Sequence, residues 1–287
     1  MLVVRIRVSA VALFFVCVVQ VKTLLHVAVL STSSFASTVI NTVYITTYCR
    51  NLDLLYGSTL VFDTIRIGFP DSNIIVIDNA SIPVARDQIR LAAESVDAYY
   101  FQEENEQKHN HILARIFNAS KVPFAIVDPD IIFWDRFDQA GGGLMEGRLI
   151  PTFCDPYSQC LTHSRLHTSL LKVANPEELR DEIKKYASFF EFDPIAPIMF
   201  YRGGWERYDT LGSLYSVAKD CRAFTPAELD CYDHLFCGSH IDLVADKLGE
   251  YSEQVLASHQ MAKDGNYKNL KGIWRLQERF FKTLASK

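Results

Sequence analysis

Four short strand-like runs separated by stretches of helical length constrain this chain more than any other feature. The runs are Val43–Tyr48, Asn73–Ile77, Ala98–Phe101 and Pro123–Val127. The second is apolar throughout rather than alternating, as a strand covered on both faces should be. The intervening sequence predicts a helix over 53–67, stopped by Gly68 and Pro70, and another over 81–96, opened by Ser81 ahead of Pro83. A third is expected over 109–119, where Ile112, Leu113, Ile116 and Phe117 form one stripe. Strands alternating with helices at this spacing imply a parallel sheet with right-handed crossovers. The expected fold class is α/β: a Rossmann-like, mostly parallel sheet flanked by helices.

In such sheets ligands bind beyond the carboxyl ends of the strands. Thr47, Tyr48, Asp78, Asn79 and Asp128–Asp130 leave those ends, and His109, Asn110 and His111 open a helix at the same edge. The sharpest feature is Asp128-Pro129-Asp130, directly after the fourth run. Two carboxylates one residue apart can share a hard divalent cation with phosphate oxygens, and Mg²⁺ or Mn²⁺ suits such a site. Pro129 fixes its own φ and stiffens the turn. The alternative is a plain Asp-capped turn.

This segment, with its context, resembles the DxD motif of GT-A-fold glycosyltransferases, which use nucleotide-sugar donors. Val43–Asn51 is similar to the first strand and nucleotide-contacting turn of that fold, and Ile75–Ser81 to its second strand. The resemblance covers about residues 40–140 and implies a sugar transfer from a nucleoside diphosphate to a glycan, lipid or small-molecule acceptor, with Mn²⁺ or Mg²⁺ as cofactor. It implies Asp130 as principal metal ligand, Asp128 facing the metal or the ribose, and Thr46, Tyr48, Asp78 and Asn79 lining the nucleotide pocket. A histidine from the C-terminal half is expected to join the metal; His240 is the candidate and His259 the fallback. His111 points off the apolar stripe and is assigned to phosphate, while His109 lines up with the stripe as a core or interface residue.

The resemblance has gaps. No acidic base motif of inverting members is present, nor the Gln-x-x-Arg-Trp of processive synthases, of which Gln277-Glu-Arg-Phe-Phe281 is a faint echo. If the enzyme inverts, it needs a carboxylate base; Asp233 is assigned that role, with Asp230 second. Arg165, His167, Thr168 and Trp205 are candidates for the acceptor pocket. A nucleotidyltransferase is one rival reading, but it would want a Gly-rich, basic loop where Thr47–Asn51 has no glycine. A non-catalytic sugar- or nucleotide-binding protein is the other. A zinc site of Cys231, Cys237 and His240 lacks the tight Cys-x2-Cys spacing.

The second half is less regular. Helices are expected from Asn175-Pro176 to Phe190, from Thr225-Pro226 to Gly238 and over 240–263, which makes 141–287 a helix-rich acceptor-side half beside a nucleotide-binding half at 37–140. The two form one domain. Lys plus Arg (29) against Asp plus Glu (34) gives a net charge of -5, so a nucleic-acid partner is not expected.

Before Asp53 there is no acidic residue, and the run Val8–Val21 is uncharged. Residues 1–36 fit a signal peptide, a marginal anchor or a start assigned too early. Cys154-x5-Cys160 and Cys231-x5-Cys237 are read as reduced thiols rather than bridges. Asn79-Ala-Ser81 matches a glycosylation acceptor, but it lies inside the expected cleft. The resulting expectation is a cytoplasmic protein, with membrane association through the N-terminus left open.

Overall fold

The computed structural model describes residues 38–154, 160–187, 198–201, 205–208, 210–218, 220–236, 238 and 240–286. Ser37–Lys287 groups as one compact unit. The N-terminal stretch, with its three readings, lies outside the described residues. Among the described residues no helix is long and apolar enough to cross a membrane.

The four runs become strands β1 (Thr42–Thr47), β2 (Asn73–Asp78), β3 (Tyr99–Gln102) and β4 (Phe124–Val127). β5 (Ile131–Phe133) follows the Asp-Pro-Asp turn. The second half supplies β6 (Met145–Ile150), β7 (Phe153–Cys154), β8 (Cys160–Thr162) and β9 (Arg165–Val173). It continues with β10 (Ile198–Tyr201), β11 (Trp205–Tyr208), β12 (Cys221–Ala223) and β13 (Tyr232–His234).

The main sheet has seven strands in the order β12-β6-β9-β4-β1-β2-β3. β4, β1, β2 and β3 run parallel, as do β12 and β6, while β9 is antiparallel to both of its neighbours. The fold is therefore α/β with a mostly parallel, Rossmann-like sheet. Its three strands β6, β9 and β12 come from the half expected to be helix-rich, so the sheet crosses residue 140.

Helices cover both faces. Ala85, Ile89 and Ala93 of α1 (Pro83–Glu94) pack with Val43, Ile45, Ala125 and Val127 on one face. On the other, Ile112, Leu113, Ile116 and Phe117 of α2 (His109–Ala119) pack with Phe124 and Ile126. All four residues of β4 are buried because successive side chains enter opposite cores. The α2 stripe contributes roughly 6–12 kcal/mol by area, comparable with the whole stability margin of a domain.

Three expected helices are shorter or broken. Residues 52–68 form short helical turns instead of one helix, because tertiary partners capture groups a helix would use. Val61 N–H donates to Pro129 O (2.8 Å), and Thr64 Oγ1 accepts from Phe133 N–H (2.9 Å). The helix opened at Thr225 has its capping box but ends at Leu229, and the chain then pairs as β13 with β5. The stretch 240–263 divides into a turn at Ile241–Val244 and a helix at Ser252–Lys263, with Gly249 between them at φ +57. Pro176–Ala187 is helical as expected, and its continuation toward Phe190 lies outside the described residues. The final helix, α3 (Trp274–Ala285), is tied to β6 through Arg148, which donates to Gln277 Oε1 and to Trp274 O.

Candidate functional site

The carboxyl ends of β1, β2 and β4 open at one edge of the sheet, into a cavity of about 640 Å³. That volume suits a small-molecule ligand. Thr46, Tyr48, Asn79 and Asp128–Asp130 all line it. Thr46 Oγ1 is buried and meets no hydrogen-bond partner, which leaves it for a bound group. Tyr48 donates its hydroxyl to Glu106 (3.2 Å). The Asn79 amide binds Gln107 in both directions, donating to its carbonyl at 2.9 Å and accepting from its N–H at 2.7 Å. This pins the loop that carries Lys108 and His109 to the rim.

Two expected donor contacts lie elsewhere. Asp78 is fully buried and its carboxylate is consumed, accepting from Ser81 N–H (2.9 Å) and from the Tyr100 hydroxyl (2.5 Å). It shapes the turn after β2 and does not line the cavity. His111 is exposed on α2, away from the lining, whereas His109, read as a core or interface residue, is among the lining residues.

Across the cavity floor Asp128, Asp130 and His234 present ligand atoms that all lie within 4.8 Å of one another. The β5–β13 pairing creates this cluster, with Ile131 opposite His234. Asp130 is held firmly: Oδ1 lies 3.2 Å from His234 Nε2, Oδ2 accepts from Gly238 N–H (2.9 Å), and its carbonyl accepts from Leu235 N–H (2.9 Å). Gly238 has to be glycine here, since a Cβ would meet Asp130 Oδ2 at 2.5 Å. Gly57 in turn backs Gly238, its own absent Cβ lying 2.4 Å from Gly238 O.

Burial pushes the Asp128 carboxyl up to about 7, and the neighbouring Asp130 charge adds to the rise. Burial acts on Asp130 in the same sense, but the His234 charge and the hydrogen bonds outweigh it and hold it low. Desolvation pulls His234 down, and Asp130 more than reverses it. A half-buried and a buried carboxylate with an imidazole are the donor set of a hard or borderline divalent cation, and its charge would relieve the repulsion between the carboxylates. The residues fit the group.

The histidine that clusters with the two aspartates lies six positions before the expected His240. His240 lines the cavity but is more than a third exposed at the rim, and it is not part of the three-residue cluster. His259 is used structurally, with Nδ1 2.5 Å from the Tyr56 hydroxyl and Nε2 2.8 Å from Phe236 O. His234 escaped the sequence reading because its three-residue strand sits where a helix was expected.

Asp233 is not placed as a base. It is fully buried, and its carboxylate accepts from Trp134 Nε1 (2.7 Å), Gly272 N–H (2.6 Å) and Trp274 N–H (2.7 Å). Burial pushes it up to about 6 against the pull of these donors. It lies on the strand face opposite to its neighbour His234, as alternation requires. Asp230 is paired with Arg275 at 2.6 Å. For the zinc reading, Cys231 donates to Ala227 O (3.3 Å), and Cys237 lies outside the described residues. Cys154 and Cys231 are free thiols.

Arg165, His167 and Thr168 all reach the cavity, assisted by a register shift in the β9–β6 pairing between Leu166 and Leu171. Such irregularities re-aim side chains beside sites. His167 Nδ1 accepts from Ser169 N–H (3.2 Å), which assigns the proton of the neutral ring to Nε2. Burial first, and His234 second, hold this imidazole well below its ordinary pKa. The Trp205 side chain lies outside the described residues.

No protein-family model and no curated protein matches the chain. Solved structures do. The bifunctional glycosyltransferase WbbM is similar at 10% identity and TM-score 0.41, over 66% of this chain and 39% of that one. The galactosyltransferase LgtC, in complex with donor and acceptor sugar analogs, is similar at 11% and 0.42, over 76% and 95%. A putative glucose-1-phosphate thymidylyltransferase from Bacillus anthracis is similar at 8% and 0.42, over 78% and 96%. This chain thus spans under half of the first of these. Likenesses of this strength assign no residue a role.

Proposed function

We propose that the protein is a GT-A-like glycosyltransferase that moves a sugar from a nucleoside diphosphate to an acceptor hydroxyl, with Mn²⁺ or Mg²⁺ at Asp128, Asp130 and His234. The observation that carries the reading is the cluster itself: three ligand atoms within 4.8 Å, at the carboxyl edge of a parallel sheet and on the floor of a cavity. A bound cation would offset negative charge on the leaving diphosphate.

The chain's own residues do the rest. Thr46 and Tyr48, leaving β1, and Asn79, leaving β2, supply hydroxyl and amide groups at the nucleotide end of the cavity. The hydrogen bonds of Asp130 keep its carboxylate in place before any ligand arrives, so little ordering cost remains. His167 presents a neutral Nε2–H donor beside the cluster, suited to an anionic or hydroxyl oxygen. No carboxylate base is assigned, and the stereochemical course is not part of the proposal. The nucleotidyltransferase reading gains no support from the first loop, where Arg50 is paired with Asp242.

A thermal-shift panel of nucleoside diphosphates and nucleotide sugars, with and without Mn²⁺, tests the donor site. Wild type is expected to shift with one base only when metal is present, and folded Asp130→Ala to show no shift. Equal shifts for both proteins would remove the metal from the reading. No shift with any nucleotide would remove the donor site.

A further inference from the structure

One side of the cavity carries an apolar wall, and the sheet order places it. β4, which delivers Asp128, is the fourth of seven strands; β1 and β2 lie on one side of it, β9 and β6 on the other. The polar and charged lining residues Tyr48, Asn79, Glu106 and Lys108 belong to the β1–β2 side. On the other side Thr162, Arg165, His167 and Thr168 of β8 and β9 also reach the cavity, and beside them stands an apolar wall: Phe153, three residues beyond β6, and Phe280, Phe281 and Leu284 of α3. Phe236 completes this wall.

These rings form one contiguous surface. Phe153 and Phe281 have centroids 5.6 Å apart, Phe236 and Phe280 5.4 Å, and Phe280 and Phe281 5.4 Å. Ile150 and Leu54 back it from the core. Phe153 and Phe236 are only half-buried, so apolar surface faces the same space as the metal cluster.

Aromatic rings can stack a nucleobase, but the proposed donor site holds the nucleoside on the β1–β2 side, away from this wall. We infer that it is an acceptor subsite for a molecule whose reacting hydroxyl sits next to an apolar group, aryl or alkyl. The inference rests on the proposed donor site, because the β1–β2 side must hold the nucleotide for the β6 side to be left to the acceptor. An apolar group against the wall would bring the hydroxyl toward Asp128 and His167, between the two ends.

The test uses the full chain and three probes: methyl, phenyl and octyl glycosides of each common hexose, the last below its micellar concentration. Affinity is read by equilibrium titration with Mn²⁺ present. For at least one hexose, the phenyl or octyl glycoside is expected to bind about tenfold or more tighter than the methyl glycoside, roughly 1.4 kcal/mol. A preference for phenyl indicates an aromatic aglycone, and one for octyl a lipid-like chain. Phe153→Ser and Phe236→Ser, each checked for a wild-type circular dichroism spectrum, are expected to cut that advantage to threefold or less. Equal binding of all three glycosides, no binding of any, or an advantage that survives both substitutions would overturn the subsite. The nucleotide thermal-shift panel is read separately, so loss of the donor site is distinguishable from loss of this one.

Discussion

Replacing Asp233 by alanine separates a structural carboxylate from a catalytic one. The side chain receives three N–H donors, from the Trp134 indole and from the backbone of Gly272 and Trp274 at the start of α3. Deleting the acceptor strands three donors in a site that is fully buried. Each orphaned donor costs about 1–3 kcal/mol, and partial relaxation brings the expected loss to about 3–5 kcal/mol. For a unit of this size that lowers Tm by about 10 °C. Urea denaturation followed by tryptophan fluorescence reads the loss as a lower midpoint. Trp134→Phe removes one of the donors and is expected to cost about 1–2 kcal/mol alone, yet close to nothing in the Asp233→Ala background. Where protein remains folded, donor-nucleotide binding is expected to persist. An unchanged midpoint with turnover reduced a hundredfold would refute the reasoning and restore Asp233 as a chemical group.

Three further outcomes are expected. His234→Ala should weaken Mn²⁺ binding by ten- to a hundredfold, whereas His240→Ala should change it less than threefold; calorimetric titration with the metal alone tells them apart. Gly238→Ala places a methyl group onto Asp130, at 2.6 Å from its Cβ, and should abolish metal-dependent thermal shifts while the circular dichroism spectrum stays native. Glu228 gives a pH signature. Burial opposes its charge, but Arg222 at 2.7 Å and Thr225 N–H at 2.8 Å outweigh that and bring its pKa down to about 2. Its folded pKa is below the unfolded value of about 4.3, so its stabilisation is present above that pH and is lost as pH falls through 2. Glu228→Gln should therefore cost up to about 3 kcal/mol at pH 7 and little at pH 2, read by urea midpoints at both.

The first half was legible because its elements satisfy local and tertiary demands at once. β1, β2, β3 and β4 appear within a residue or two of the four strand-like runs, and α2 keeps the stripe read from Ile112 to Phe117. The segment 52–68 failed for a reason that no local pattern carries. Its backbone turns aside to bond Pro129, in the Asp-Pro-Asp turn, and Gly57 packs against Gly238. Propensity is overridden where a segment serves a distant site. Asp78 shows the same limit: its position at a strand end was readable, but Ser81 and Tyr100 take up its oxygens.

The candidate site draws on residues from both sides of position 140. Asp128 and Asp130 follow from a buried strand ending in acidic residues, and that much is local. Their partner His234 depends on β13, three residues long, pairing with β5 about a hundred positions earlier. Inside that pairing, adjacent residues face opposite ways: His234 meets Asp130, while Asp233 anchors the start of α3, the helix that carries Phe280 and Phe281. One short strand thus completes the Asp128–Asp130–His234 cluster with one side chain and supports the apolar wall with the other. Damage at Asp233 should therefore reach the site through α3, and damage at His234 through the cluster. The two effects are separable by measuring glycoside and metal binding on each variant.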